Sequence, residues 1–137
     1  MPQLHLYRFE VPASAIDGNG HVNNVEFVRW MQDAAVDHAN AVGCTAATQQ
    51  AGCTWVVRSH AIDYLRPAFV GESIEVRTWI DDYRRAFSKR KYEFHRVSDG
   101  AVLARGETNW VYIDATSGRP KSIPPEIQRL FGVQVAE

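Results

Sequence analysis

Residues 17 to 27 read DGNGHVNNVEF, which sets an acid (Asp17), an amide (Asn19) and an imidazole (His21) at a spacing of two on a glycine-punctuated loop. A carboxylate can serve as general base toward water or attack a carbonyl carbon directly, and an amide and an imidazole can orient either group. The apolar periodicity that follows predicts a helix beginning near Asn24. The free backbone N–H groups and partial positive charge of a helix N-terminus suit a carbonyl oxygen that turns into an oxyanion. Together these groups fit acyl transfer to water. A structural reading stands beside this one. Asn23 or Asn24 can cap the helix and Glu26 can complement its dipole, which makes the stretch an Asx-rich turn leading into a well-capped helix.

The elements that must position these residues can be read from periodicity. LHLYRFEV (4–11) alternates as a strand. From Asn24 to Val42, the residues Val25, Phe27, Val28, Met31, Ala35, His38 and Val42 fall mostly at i, i+3, i+4 spacing. They predict an apolar stripe on a helix of about five turns, ~28 Å long. Gly43 is a suitable stop. Beyond Gly52 the period becomes that of strands: TWVVRSHAIDYLRPA, ESIEVRTWI, AFSKRKYEFHRV and AVLARGETNWVYI, joined by short turns such as SDG at 98–100. Ile74, Val76, Thr78 and Ile80 should share one face of their strand. PPEIQRLFG (124–132) reads as a terminal helical turn opened by proline.

The expected fold class is therefore α+β, with an antiparallel sheet of about five strands curved around one long helix. Such a sheet keeps a free edge and an open face, and a second copy of the chain is the usual cover, so a homodimer or homotetramer is expected.

The bulk properties set limits on function. A length of 137 residues is most simply one domain, 1–137, with a sizeable core. A net charge of −1 gives no global reason to expect nucleic acid or a membrane as partner. No apolar run approaches the ~20 residues of a membrane span, and MPQLHLYRFEVP lacks the basic and apolar regions of a signal peptide. Cys44 and Cys53 suggest neither a zinc site nor a disulfide framework, and no Cys/His/carboxylate group has metal-ligand spacing. We therefore expect two free thiols, a cytoplasmic location and no metal. His38, on the helix stripe, reads as a packing histidine, and Asp33 and Asp37 as solvated helix-face acids.

A second constellation is YRRAFSKRKYEFHR (83–96). It holds Arg84, Arg85, Lys89, Arg90, Lys91 and Arg96, six of the fifteen Lys and Arg residues. Alternation puts Lys89 and Lys91 on one face of the strand and Ser88 and Arg90 on the other. Such a cluster suits phosphate groups, and an exposed strand kept charged against aggregation has the same composition.

IDGNGHVNNVEFVRW resembles the loop-and-helix signature of the hotdog-fold thioesterases, both the 4-hydroxybenzoyl-CoA thioesterase group and the plant-type acyl-ACP thioesterases. RPAFVGESIEV and IDATSGRPKSIPPEI also resemble that family's strand connection and ending. The resemblance covers nearly the whole chain and implies hydrolysis of an acyl-CoA or acyl-ACP thioester. Coenzyme A would be part of the substrate, and no other cofactor is implied. Carried over by position, it implies that Asp17 attacks the carbonyl or activates water, with Asn19 and His21 as polar partners. It also implies that the backbone amide of Asn24 polarises the thioester carbonyl. Arg84, Arg85, Ser88, Lys89, Arg90 and Lys91 match the region where CoA-specific relatives hold the nucleotide phosphates. The chain departs from the common pattern at Ala15, where many relatives carry an acid. Enoyl-thioester hydratases of the same fold place Pro after the Asn and one more residue before the His, unlike Asn19-Gly20-His21. A non-catalytic acyl-CoA binding module would need no poised carboxylate.

Overall fold

The structure is a computed structural model that describes residues 3–132. Strand β1 (His5–Glu10) leads through a single 3-10 turn to helix α1 (Asn24–Val42). A short helix α2 (Cys44–Gln50) follows, then the long strands β2 (Cys53–Tyr64), β3 (Ser73–Arg84), β4 (Phe87–Arg96) and β5 (Val102–Asp114), and finally α3 (Pro125–Leu130). The sheet order is β1-β3-β4-β5-β2 and every pairing is antiparallel. The curved sheet wraps α1, as expected of the hotdog fold, and β1 and β2 form its two edges.

The inward face alternates as the sequence predicts. Ile74, Val76, Thr78 and Ile80 of β3 are all buried, as are Ser88, Arg90, Tyr92 and Phe94 of β4. The buried stripe of α1 is Phe27, Trp30, Met31, Ala34, Ala35 and His38. This corrects the expected stripe at Val25, which is 65% exposed. At ~100° per residue, Val25 lies about 200° around the axis from Phe27, whereas Trp30 and Ala34 fall beside Met31. Gly106 of β5 makes room for the helix: a Cβ there would stand 2.9 Å from the Met31 sulfur. A side chain at 106 would therefore have to displace the buried end of Met31.

The sequence reading stops the helical region at Gly43, yet α2 follows it at once. Gly43 takes a left-handed φ of 84° and serves both as C-cap of α1 and as N-cap of α2. CTAATQQ buries only Cys44 and Thr48, too little apolar patterning to announce a helix. One hydrophobic cluster lies between the first turns of α1 and the sheet, around Phe27, Trp30, Phe94 and Leu103. The other lies beneath α2 and α3, around Cys44, Ile80, Tyr112 and Phe131.

Candidate active site

The 17–24 loop is a closed turn. Ile16 bridges Val22, the Asp17 N–H donates to the His21 carbonyl (2.8 Å), and the Gly20 N–H donates to the Asp17 carbonyl (3.1 Å). Gly20 supplies the left-handed φ of 78° that this turn demands. The loop is fastened to the body by the Val22 N–H on the Ala68 carbonyl and the Asn23 N–H on the Ala15 carbonyl. The Asp17 side chain takes part: Oδ1 accepts from the Asn19 N–H (2.9 Å) and the His21 N–H (3.4 Å). Both predicted roles are thus compatible in one residue. Oδ1 builds the Asx turn, which fixes the carboxylate, while Oδ2 has no partner among the described residues.

Asn23, not Asn24, is the N-cap; its Oδ1 accepts from the Val25 N–H at 3.1 Å. The Glu26 N–H bonds the Asn23 carbonyl, whereas the Asn24 N–H has no acceptor among the described residues. A free amide therefore stands at the positive end of a 19-residue helix. The Tyr64 hydroxyl donates to the Asn24 carbonyl (3.0 Å) and ties this first turn to the end of β2. His21 is exposed, its ring meeting Phe69 edge-on at 5.3 Å.

Asp17, Asn19, His21 and Asn24 line one open pocket of about 400 Å³, together with Phe27, Tyr64 and Arg66. All four residues singled out in the sequence converge here. Tyr64 and Arg66 were missed, since forty residues separate them from the motif and no spacing relates them to it. Phe27 supplies an apolar wall of this pocket, whereas Trp55 lines a different cavity and Val56 stands exposed on the β2 edge. Asp33 and Asp37 are exposed, and Asp37 pairs with His5 at 2.6 Å. No group of three potential metal ligands occurs among the described residues.

The basic constellation divides. Arg84 and Arg85 are exposed at the β3–β4 turn, with Arg84 on Asp82 (3.0 Å), and Lys89 and Lys91 face outward on β4. Ser88 and Arg90 face inward and are each 3% exposed, which corrects their placement on a phosphate-binding surface. Arg84, Arg85, Lys89 and Lys91 do not adjoin Asp17 in the same chain. The loop lies at the Arg96 end of β4, where the Arg96 guanidinium donates to the Pro67 carbonyl. The turn lies at the Phe87 end, ten residues and roughly 30 Å away.

Arg90 is buried against α1. Its Nη1 donates to His38 Nδ1 (2.9 Å) and Thr78 Oγ1 (3.0 Å), and the guanidinium sits 5.4 Å from the Phe131 ring centre. His38 stacks on His5, and burial first, then Arg90 and His5, push its pKa down to about 3. It is thus neutral and accepts at Nδ1.

A curved antiparallel sheet of five strands around one long helix is the hotdog fold. The chain belongs to the thioesterase-like superfamily, whose family model matches residues 11–131. An L-carnitine dehydrogenase/betainyl-CoA thioesterase of Ruegeria pomeroyi is 27% identical over 93% of this chain and 26% of that protein. A chloroplastic acyl-[acyl-carrier-protein] hydrolase of Cuphea viscosissima is 23% identical over 72% of this chain and 26% of its own length. The chain therefore spans about a quarter of each of these relatives. Among solved structures, a 1,4-dihydroxy-2-naphthoyl-CoA thioesterase from Synechocystis superposes with a TM-score of 0.85 at 19% identity, covering 94% of this chain and 96% of that one. No helix among the described residues is long and apolar enough to cross a membrane.

Proposed function

We propose that the chain hydrolyses an acyl-CoA thioester to a free acid and CoA, at the pocket between the 17–24 loop and the first turn of α1. The observation that carries this reading is the pairing of the fixed Asp17 carboxylate with the Asn24 amide, which has no acceptor among the described residues, around one pocket. The thioester carbonyl accepts from the Asn24 N–H. Asp17 Oδ2 takes a proton from water as the water oxygen attacks the carbonyl carbon, or Oδ2 itself attacks to give an anhydride that water then opens. Negative charge develops on the carbonyl oxygen against the helix N-terminus. Collapse breaks the C–S bond and releases the CoA thiolate, a good leaving group. Asn19 and His21 orient the water. No metal or further cofactor is required, and Cys44 and Cys53 stay free thiols in a reducing cytoplasm.

The active unit is a homodimer, or a tetramer of such dimers. The free edge of the twelve-residue β2 can pair antiparallel with its own copy. That pairing sets the Tyr64 end of one strand beside the Cys53 end of the other. Cys53 pairs with Asp114, and the Tyr112 N–H bonds the Ala86 carbonyl, so the Cys53 end is also the end of the Arg84–Lys89 turn. The exposed cations of one copy then come to the loop of the other, where they can meet the phosphates of CoA. An acyl-ACP is the second reading, since the Cuphea relative is named for that substrate and an acidic carrier would be drawn to the same cations.

The test is turnover of an aromatic and aliphatic acyl-CoA panel, with thiol trapping, by wild type and Asp17→Asn. We expect turnover in wild type and a loss of at least ~100-fold in the variant, the scale of a missing general base. An equally active variant would move the catalytic carboxylate elsewhere. A wild type that binds CoA without turning over any ester would make the chain a binding module.

A further inference from the structure

A second cavity, of about 260 Å³, lies between the sheet and the C-terminal half of α1. Its walls are apolar and include Ala39, Trp55, Ile80 and Phe131, and Arg90 and Tyr83 also line it. Along α1, Ala35 is eleven residues from Asn24, or ~16 Å, so within one chain this is not the loop pocket.

Arg90 is 3% exposed and forms no salt bridge among the described residues. Both of its hydrogen bonds leave from Nη1 and end on neutral acceptors, His38 and Thr78. A guanidinium stays protonated in a protein, so a full charge is buried beside an apolar cavity with no counter-ion among the described residues. The Tyr83 hydroxyl, on the same cavity, is buried and lacks a hydrogen-bond partner among the described residues. Buried charges and hydroxyls are normally paired, and each unpaired one is costly. The missing partner has a definite chemistry: an acceptor with negative charge, small enough for the cavity and attached to an apolar body that matches its walls. The mouth, at exposed Thr45, Gln49 and Thr54, lets such a ligand enter from solvent.

We infer that this cavity binds a carboxylate, held by Arg90 and the Tyr83 hydroxyl, on a small aromatic or short aliphatic acid. A planar guanidinium matches a carboxylate through two parallel N–H donors, and Nη2 and Nε are the pair left uncommitted. Two sources supply this chemistry. One is a free acid, such as the product of thioester hydrolysis. The other is the far carboxylate of a dicarboxylic acyl thioester, since antiparallel β2 pairing would bring the Thr54 mouth of one copy beside the Tyr64 end of the other. The binding itself does not depend on the hydrolysis proposed above.

The test is calorimetric titration of the full chain with benzoate and hexanoate, and with benzamide as neutral isostere. We expect one acid per chain, benzamide at least ~10-fold weaker, and loss of acid binding in Arg90→Met. Equal binding of acid and amide, or unchanged benzoate affinity in a folded Arg90→Met, would overturn the assignment. Should Arg90→Met fail to fold, Tyr83→Phe decides. A severalfold weaker benzoate affinity with unchanged benzamide affinity supports the site, and no change overturns it. Turnover of a six-carbon dicarboxylyl-CoA against hexanoyl-CoA separates the sources. A lower KM for the diacid thioester that Tyr83→Phe abolishes points to the substrate's own carboxylate. Equal KM values, or no turnover of either, with benzoate still bound, point to a free acid.

Discussion

If the loop of one copy works with the cations of another, two inactive variants should rescue each other. The perturbations are Asp17→Asn, which removes the carboxylate, and the triple variant Arg84→Glu/Lys89→Glu/Lys91→Glu, which reverses the exposed cations. The sheet fixes the logic: the loop and the β3–β4 turn of one chain stand at opposite ends of the ten-residue β4, roughly 30 Å apart. In a mixed dimer, one site combines the loop lacking its carboxylate with the charge-reversed turn and is dead. The other combines an intact loop with an intact turn. Random pairing of equal amounts makes about half the dimers mixed, each with one working site of two, so about a quarter of wild-type activity should return. The assay is acyl-CoA hydrolysis below KM, where weakened phosphate contacts show fully, on the variants unfolded and refolded together. Activity no higher than the mean of the two parents would refute the shared site, since a site built within one chain is never restored by mixing.

Stability should carry the mark of His38. Its folded pKa is depressed from 6.5 to about 3, so between those values the unfolded chain binds the extra proton and stability falls as pH falls. From pH 6.5 to 4 that is about 2.5 units at ~1.36 kcal/mol each, on the order of 3 kcal/mol, a loss that His38→Gln should blunt in urea titrations at pH 7 and pH 4. Equal losses in the two proteins would remove His38 from the account. Gly106→Ala should cost about 1–3 kcal/mol in the same titration, because its methyl meets the Met31 sulfur at 2.9 Å and the Ala61 carbonyl at 3.3 Å. Met31→Ala made together with it should recover part of that cost if the clash is real. Asn23→Ala should cost about 1 kcal/mol by losing the cap bond to Val25, and it should lower kcat by loosening the turn that presents the Asn24 amide, read by steady-state kinetics.

The order of the strands, α1 and α3 was legible in the sequence, because period-2 and period-3.6 patterns alternate between Gly and Pro breaks, whereas α2 carries too little apolar patterning to be read. The sequence also singled out the 17–24 loop: Asp17, Asn19 and His21 exceed what capping requires, and the structure gathers them with Asn24 around one pocket. It misjudged the phase of α1 at Val25. A count of apolar residues cannot say which one points away from a sheet it has not met, and Trp30, with its large ring, is what the sheet accepts. Tyr64 and Arg66 belong to the pocket through the path of the chain, which brings the end of β2 to the first turn of α1.

Arg90 shows where reading by composition fails. Alternation correctly separates Ser88 and Arg90 from Lys89 and Lys91. A charged residue is read as exposed by default, so the whole group was treated as one phosphate-binding surface. The geometry requires the opposite for two of the four. β4 is a central strand, with β3 and β5 on either side, so one of its faces must lie under the helices. Tyr92 and Phe94 fix which face that is, and Arg90 shares it. A polar pattern that breaks the rule of an apolar interior, with no carboxylate among the described residues to balance it, is where folding and function pull apart. The chain keeps a buried cation that packing alone would replace with an apolar residue, and it keeps it on the wall of a cavity. Burial of an uncompensated charge lowers stability unless something binds there, so the same residue that sequence reasoning placed on the surface is the strongest pointer to a ligand inside.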